Sequence, residues 1–382
     1  CIRDSVPTVC GIYGVLNLQE GKPIDPRVLE AMGETLSHRG PDDQGAFLDS
    51  LVSLGQRRLS IIDLDTGHQP IANEDQSVWV ICNGEIYNFQ QLRCQLQDQG
   101  HRFRTRSDSE VLVHLYEQYG DDFVRRASGM FAFALWDKAD RRLYLARDRF
   151  GEKPLYYGWQ GDSLLFGSEL KALTAHPSFN ANVNRDALAL LLRHNCIPAP
   201  YSVYAGISKL PPGHLLKFSR DDLAAKRQTT PSAYWRINDV VEDGIGNPFT
   251  GSEREAVDET ERQLLQSVGA QMLSDVPLGA FLSGGVDSSA IAALMQVQSN
   301  QPVKTFTVGF DDAQYDEAAD AKRVADHLGT DHTELRVHAK DALDLIPDLP
   351  EIYCEPFSDS SQLPTFLISK LTRQHVTCLL YT

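Results

Sequence analysis

The apolar pattern of this chain changes period once, and that change narrows the available folds more than any single motif does. Up to about residue 218 the apolar residues come in short runs rich in β-branched and aromatic side chains. These runs are 10–18 (CGIYGVLNL), 78–82, 130–136 (MFAFALW), 142–146 (RLYLA) and 163–167 (SLLFG). Turn signals such as Arg39-Gly40-Pro41-Asp42 and Asp140-Arg141 separate them. Two helical stretches interrupt, 88–99 and 108–119, the second with Val111, Leu112, Leu115 and Tyr116 on one face. Strands this short predict antiparallel sheets plus helices.

A stretch bearing Pro198, Pro200, Pro211, Pro212 and Gly213 follows. Residues 219–252 are polar, with Asp221-Asp222, Lys226-Arg227 and Gly244-Ile245-Gly246, and read as a linker. Beyond it helices are predicted over 253–273, 288–297, 316–328 and 362–372. Strands are predicted over 278–282, 303–309 and 332–337, with a last one in the apolar run from His375. Alternating strand and helix predicts a parallel α/β sheet. At about 100–200 residues per domain, a chain of 382 residues has room for two or three. The division expected is 1–9 as an extension or propeptide, 10–218 and 253–382 as domains, and 219–252 between them.

Acidic residues outnumber basic ones 52 to 36, a net charge of −16. That argues against a nucleic-acid backbone or an anionic membrane as the main partner, while leaving small anionic substrates open. No apolar run reaches the ~18 residues of a membrane span, and no secretory signal is read. The seven cysteines are widely spaced without a CxxC pair, so neither a disulfide framework nor a zinc site is expected, and a reducing cytoplasm fits.

The sharpest local feature is Leu282-Ser283-Gly284-Gly285-Val286-Asp287-Ser288-Ser289, between a predicted strand and a predicted helix. Two glycines let backbone N–H groups approach an anion closely, and a helix N-terminus adds unpaired donors. Ser283, Ser288 and Ser289 supply hydroxyls. Asp287 would repel phosphate unless a cation stood between them, which implies Mg²⁺. The Walker lysine is absent; the plainer alternative is a glycine turn capped by Ser288. SGGVDSS resembles the pyrophosphate loop of the ATP-pyrophosphatase superfamily, which cleaves ATP between its α and β phosphates. The resemblance implies that Leu282, and Val308 near the end of the next strand, line the adenine-nucleotide site. Asp316-Glu317 and Glu355-Pro356-Phe357-Ser358-Asp359-Ser360-Ser361 are similar to family segments too, with helix capping and acidic surface as the ordinary alternative.

A second constellation lies earlier: Cys10-Gly11-Ile12-Tyr13-Gly14, Arg39-Gly40-Pro41-Asp42, Arg58-Leu59-Ser60-Ile61-Ile62, Asn83-Gly84-Glu85-Ile86-Tyr87-Asn88, Ser107-Asp108-Ser109-Glu110 and 146–157 (ARDRFGEKPLYY). Together these resemble the class II glutamine amidotransferase domain, an N-terminal-nucleophile αββα sandwich. Amide hydrolysis needs a nucleophile, a base and an oxyanion site. By this resemblance Cys10 attacks the glutamine amide and its own α-amine, of pKa ~7.7–8.0, is the base. Asn83 (side chain) and Gly84 (backbone N–H) are the oxyanion donors. Arg58 pairs with the substrate's α-carboxylate, Glu85 and Asp108 take its α-ammonium, and Leu59, Ser60, Ile61 and Ile62 complete the glutamine site. Cys10 must then be the first residue of the working chain, yet nine precede it. The expectation is that 1–9 are a propeptide, or that Val9 is a GUG start codon written as valine. Cys1 lacks the GIYG continuation and is rejected as nucleophile.

The two halves together resemble the glutamine-hydrolysing asparagine synthetase family: an N-terminal-nucleophile sandwich, then a C-terminally incomplete parallel-sheet nucleotide-binding domain. The resemblance implies that ATP and Mg²⁺ activate the side-chain carboxylate of aspartate as an acyl-adenylate. Ammonia from glutamine then crosses a sheltered passage and displaces AMP. Related amidotransferases acting on polysaccharide or peptide precursors share the plan, and a glutaminase-only fragment is the remaining alternative. The family continues past the equivalent of Leu380, so the 382-residue chain is expected to lack synthetase activity and to keep glutaminase activity. The oligomeric state is not readable from the sequence, and a homodimer rests on analogy alone. Mass spectrometry checks the first-residue requirement. Chains active on glutamine should begin at Cys10, and activity in chains still carrying residue 9 would overturn it.

Overall fold

A computed structural model of the chain describes residues 9–18, 24–219, 221–222, 229–310 and 317–380. Twelve strands build its N-terminal part: β1 (Gly11–Asn17), β2 (Asp43–Leu48), β3 (Val52–Arg58), β4 (Ile71–Ala72), β5 (Val78–Ile86), β6 (Gly129–Asp137), β7 (Arg142–Arg147), β8 (Tyr156–Gln160), β9 (Ser163–Gly167), β10 (Ser208–Lys209), β11 (His214–Phe218) and β12 (Ser232–Ala233). They form two six-stranded sheets, ordered β10-β8-β9-β1-β3-β2 and β12-β11-β7-β6-β5-β4. All the pairings are antiparallel, as expected.

Period-two alternation sends neighbouring side chains of each strand into different cores. Ile12 and Leu16 of β1 meet Ile81, Ala132, Ala134, Trp136, Leu143 and Leu145 between the sheets. Tyr13 and Val15 face the other way, onto Leu29 and Met32 of helix Pro26–Glu34 and Leu173 of helix Leu170–Thr174. Val80, Cys82, Phe133 and Tyr144 likewise pack outward under helices Phe89–Asp98 and Val111–Tyr119. The layers are therefore αββα. Burial on both faces explains why β6 reads as an unbroken apolar run. Gly14 faces the inner gap where a Cβ would lie 2.2 Å from the Phe166 ring, so glycine alone fits that approach.

The N-terminal part runs past the boundary expected at 218. His214 and Leu215 pair with Ala233 and Ser232. Tyr234 is buried in the outer core, and its hydroxyl donates to the Arg147 carbonyl at 2.8 Å. A pairing only two residues long carries no apolar signature, and it narrows the expected linker to the residues beyond Trp235. That remainder holds an exposed helix, Ile237–Gly246. Lys226-Arg227, Asp316, residues 1–8 and Tyr381-Thr382 lie outside the described residues.

Four parallel strands make the C-terminal sheet: β13 (Leu278–Phe281), β14 (Lys304–Phe310), β15 (Asp331–Val337) and β16 (Cys378–Leu380), ordered β15-β14-β13-β16. Helix Glu253–Gln271 leads in behind a capping box between Ser252 and Glu255. No helix among the described residues is long and apolar enough to cross a membrane. The two parts touch directly. The Asp275 amide donates to the Ile61 carbonyl at 3.0 Å, and the Asp63 amide donates to Asp275 Oδ2 at 2.8 Å. Further along, Lys171 Nζ donates to the Glu351 carbonyl at 2.6 Å, and Glu355 pairs with Lys209.

Asp148 closes the turn after β7. Its buried carboxylate accepts from the amides of Phe131 at 3.2 Å, Phe150 at 3.0 Å, Glu152 at 2.9 Å and Lys153 at 3.0 Å. Asp148→Ala would strand these donors and should lower stability by about 3–4 kcal/mol in urea denaturation.

Candidate functional site

Cys10 stands just ahead of β1. Its sulfur accepts from the Leu59 amide at 3.4 Å and lies 3.5 Å from the Leu59 carbonyl. Its carbonyl accepts from Arg39 Nε at 3.0 Å, and Arg39 is itself held by Glu169 at 2.7 Å. A cavity of about 50 Å³ opens beside the thiol, lined by Cys10, Arg58, Leu59, Ile61, Ile62, Asn83, Gly84, Glu85 and Asp108. Nine of the ten residues expected at the glutamine site thus converge. Ser60 does not line the cavity; its amide donates to Asp42 Oδ2 at 2.9 Å.

Each wall has a local cause. Asn83 is fully buried on β5, and its Nδ2 reaches Ser168 Oγ at 3.5 Å, the oxygen that also accepts from the Ile12 amide at 3.0 Å. Gly84 has φ +136°, and a Cβ there would lie 1.9 Å from the Met130 carbonyl oxygen, so the strand can bend at the cavity only with glycine. Arg58 donates through Nη2 to the carbonyls of Ile62 at 2.8 Å and Asp63 at 2.7 Å, which fixes its guanidinium along the wall. Asp108 Oδ2 accepts from the Ile86 amide at 2.7 Å. Asn83 Oδ1 and Glu85 Oε1 are buried without a hydrogen-bond partner among the described residues. Such orphans at a cavity mark a place for a polar ligand.

The electrostatics favour a cation at one end. Burial and the neighbouring Asp108 push the Glu85 carboxyl up to about 7, against Lys153, which pulls it down. Burial raises Asp108 as well, opposed by backbone donors. Burial also raises the Cys10 thiol, while the Leu59 contact, Arg58, Lys153 and Arg39 work to lower it. Gln69, Met130 and Lys153 line the cavity too; Lys153 falls in the 146–157 stretch, which assigns it no role, and nothing in the local sequence marks Gln69 or Met130. Gln69 is placed by accepting from the Cys82 amide at 2.6 Å, and Lys153 by the Asp148 turn.

A larger cavity, about 330 Å³, lies between the two parts of the chain. Val9, Ile61, Glu85, Met130 and Lys153 border both it and the smaller one. Its far wall is Val268, Leu278, Cys378, Leu379 and Leu380.

The glycine loop follows β13, which has β14 on one side and β16 on the other, so it opens at the crossover point of the sheet. Ser283 Oγ and Ser288 Oγ are 2.9 Å apart, and the Gly285 amide donates to Ser283 Oγ at 3.3 Å. Gly284 has φ +80°, and a Cβ would press to 2.8 Å from that of Asp320. Gly285 caps helix Val286–Gln298 without a side-chain bond. Ser289 Oγ is buried and unpartnered among the described residues, while Asp287 is exposed in the first turn. This donor set suits a polyphosphate. The Leu282 side chain packs against Ala292, Ala321 and Ala325, and Val308 is half-buried on β14 opposite Leu335.

Two family profiles match the chain: one described as glutamine amidotransferase domain over residues 9–235, the other as asparagine synthase over residues 259–381. The chain is 35% identical over 374 residues to asparagine synthetase [glutamine-hydrolyzing] 1 of Bacillus subtilis, covering 97% of this chain and 57% of that protein. It is 35% identical over 394 residues to putative asparagine synthetase [glutamine-hydrolyzing] 2 of Methanocaldococcus jannaschii, covering 97% and 73% respectively. The chain therefore spans little more than half of the first of these and about three quarters of the second.

Lys153 is the cation bordering Glu85 in both cavities. Lys153→Met should raise the Glu85 carboxyl above its value of about 7, read by carboxyl ¹³C NMR; an unchanged value would remove Lys153 from this role.

Proposed function

The chain belongs to the glutamine-hydrolysing asparagine synthetase family, and from that premise we propose that Cys10 releases ammonia from glutamine for transfer to an ATP-activated aspartate. The observation that carries this reading is the convergence of Cys10, Arg58, Asn83, Gly84, Glu85 and Asp108 on one small cavity that borders a larger one. Arg58 holds the substrate's α-carboxylate, and the paired carboxylates of Glu85 and Asp108 hold its α-ammonium. Cys10 attacks the amide carbon, and Asn83 Nδ2 with the Gly84 N–H receives the oxyanion. The proton passes to the α-amine of Cys10, which requires that residue 9 be gone; losing Val9 would also enlarge both cavities it borders. Ammonia then moves into the larger cavity, where Val268, Leu278 and Leu380 supply an apolar wall and Glu85, Glu152, Lys153 and Arg373 also line it.

At the second centre, Ser283, Ser288, Ser289 and the Gly284 and Gly285 amides cradle the ATP phosphates, with Leu282 and Val308 beside the nucleotide. Asp287 would hold Mg²⁺, which supplies charge neutralisation at the leaving pyrophosphate. The acceptor is aspartate in this reading. Aspartate-dependent pyrophosphate release, measured in the chain together with any continuation it has, tests that choice; release driven only by another carboxylate would replace it.

Ammonia release from glutamine tests the first half. Cys10→Ala should abolish it, and Asn83→Ala should slow it by about 100- to 1,000-fold. The charge on Glu85 gives a second signature. Glu85 must be ionised to hold an ammonium, and its carboxyl titrates at about 7. The KM for glutamine should therefore fall as pH rises from 6 to 8, and Glu85→Gln should flatten that profile.

A further inference from the structure

Outside both sites, four side chains from three segments meet under the second sheet: Glu74 after β4, His101 after helix Phe89–Asp98, and His114 and Glu117 one turn apart on helix Val111–Tyr119. One ligand atom from each lies within 4.8 Å of all the others. His114 Nδ1 is 3.1 Å from Glu117 Oε2 and 3.6 Å from Glu74 Oε2, and His101 Nδ1 is 3.6 Å from Glu117 Oε2. Four ligands at about 2.0–2.2 Å from a tetrahedral centre stand about 3.3–3.6 Å apart; these three spacings are close to that range, and the others need at most a contraction from 4.8 Å.

The far atom of three of the four ligands is already held. Glu74 Oε1 accepts from the Arg102 amide at 2.7 Å, Glu117 Oε1 accepts from Asn73 Nδ2 at 2.8 Å, and His101 Nε2 lies 3.2 Å from Gln118 Oε1. An independent observation concerns His114. It is fully buried, and its Nε2 has no hydrogen-bond partner among the described residues, with Glu110 Oε1 facing it at 3.7 Å. A cation on Nδ1 fixes the proton on Nε2 and aims it at that carboxylate, the outer arrangement usual for a metal-bound histidine.

We propose that Glu74, His101, His114 and Glu117 bind one divalent cation of the zinc type, whose preference for four nitrogen and oxygen ligands this set matches. The cysteine spacing argues against a zinc site, and this one uses no cysteine. The cation ties three separate segments together on the helix whose lead-in carries Asp108. It stands apart from the glutamine chemistry and does not depend on it.

The full chain, stripped with a chelator and titrated with Zn²⁺ alone, should bind one equivalent by calorimetry. Co²⁺ in its place should show the visible absorption of a four-coordinate site. His101→Ala and Glu117→Gln lie nearer the surface than His114, and each should weaken binding by about tenfold or more. Circular dichroism confirms that both variants are folded. A parent chain that binds no equivalent, or variants that bind as the parent does, overturns the site and leaves a histidinium held among carboxylates.

Discussion

Burial on both faces of β1 and β5 is the constraint on which the rest depends. A strand in the middle of this sandwich cannot shift by one residue without exchanging its two sets of side chains between cores. That parity decides the chemistry. Cys10 precedes β1 in step with Ile12 and Leu16, which point between the sheets, and Asn83 is in step with Ile81, which does the same. The thiol and the amide are therefore delivered to one gap by packing alone, and Ser168 joins their strands there. The reactive end of the domain is the open edge of a core whose remainder is filled by Trp136, Phe166 and Leu145.

Legibility followed the same logic. β6, β7 and β9 were plain because both of their faces are apolar. β3 was not, since Gln56, Arg57 and Arg58 interrupt its pattern; Gln56 spends its amide on the Cys82 carbonyl at 2.8 Å inside the core, and Arg58 turns to the cavity. β12 is held by backbone bonds between Ser232 and Leu215 and leaves no apolar trace. Arg58, Asn83, Glu85 and Asp108 were accessible through motif likeness. Gln69 reaches the cavity through buried side-chain hydrogen bonds to Cys82 and Ser109, away from any motif, while Lys153 sits in the 146–157 stretch and is aimed by the Asp148 turn, which the sequence does not reveal. The cluster at Glu74 was invisible for a similar reason: its histidines are 13 positions apart and only the fold brings them together.

Glu85 takes part in two environments at once. It faces Asp108 in the small cavity and borders the larger one with Lys153. Its proton affinity is thus set jointly by the substrate pocket and by the wall facing the second domain. In the parallel sheet the glycine loop owes its place to strand order, because β16 joins on the side of β13 away from β14. The two centres are organised by different rules, side-chain parity in one and crossover topology in the other.

The seam between the halves has its own consequence. Asp275 grips the N-terminal part through the Ile61 carbonyl and the Asp63 amide, both main-chain groups, and the same short loop supplies the carbonyls that hold Arg58. A joint that reads backbone makes no demand of its own on the side chain at 61, whereas Asp63, at φ 56°, also holds Thr66 and Arg106 through its carboxylate. Chimeras that swap one half for that of a distant cousin would keep this joint so long as the aspartate survives, and would also have to carry over the Lys209–Glu355 pair and the Lys171 contact with the Glu351 carbonyl.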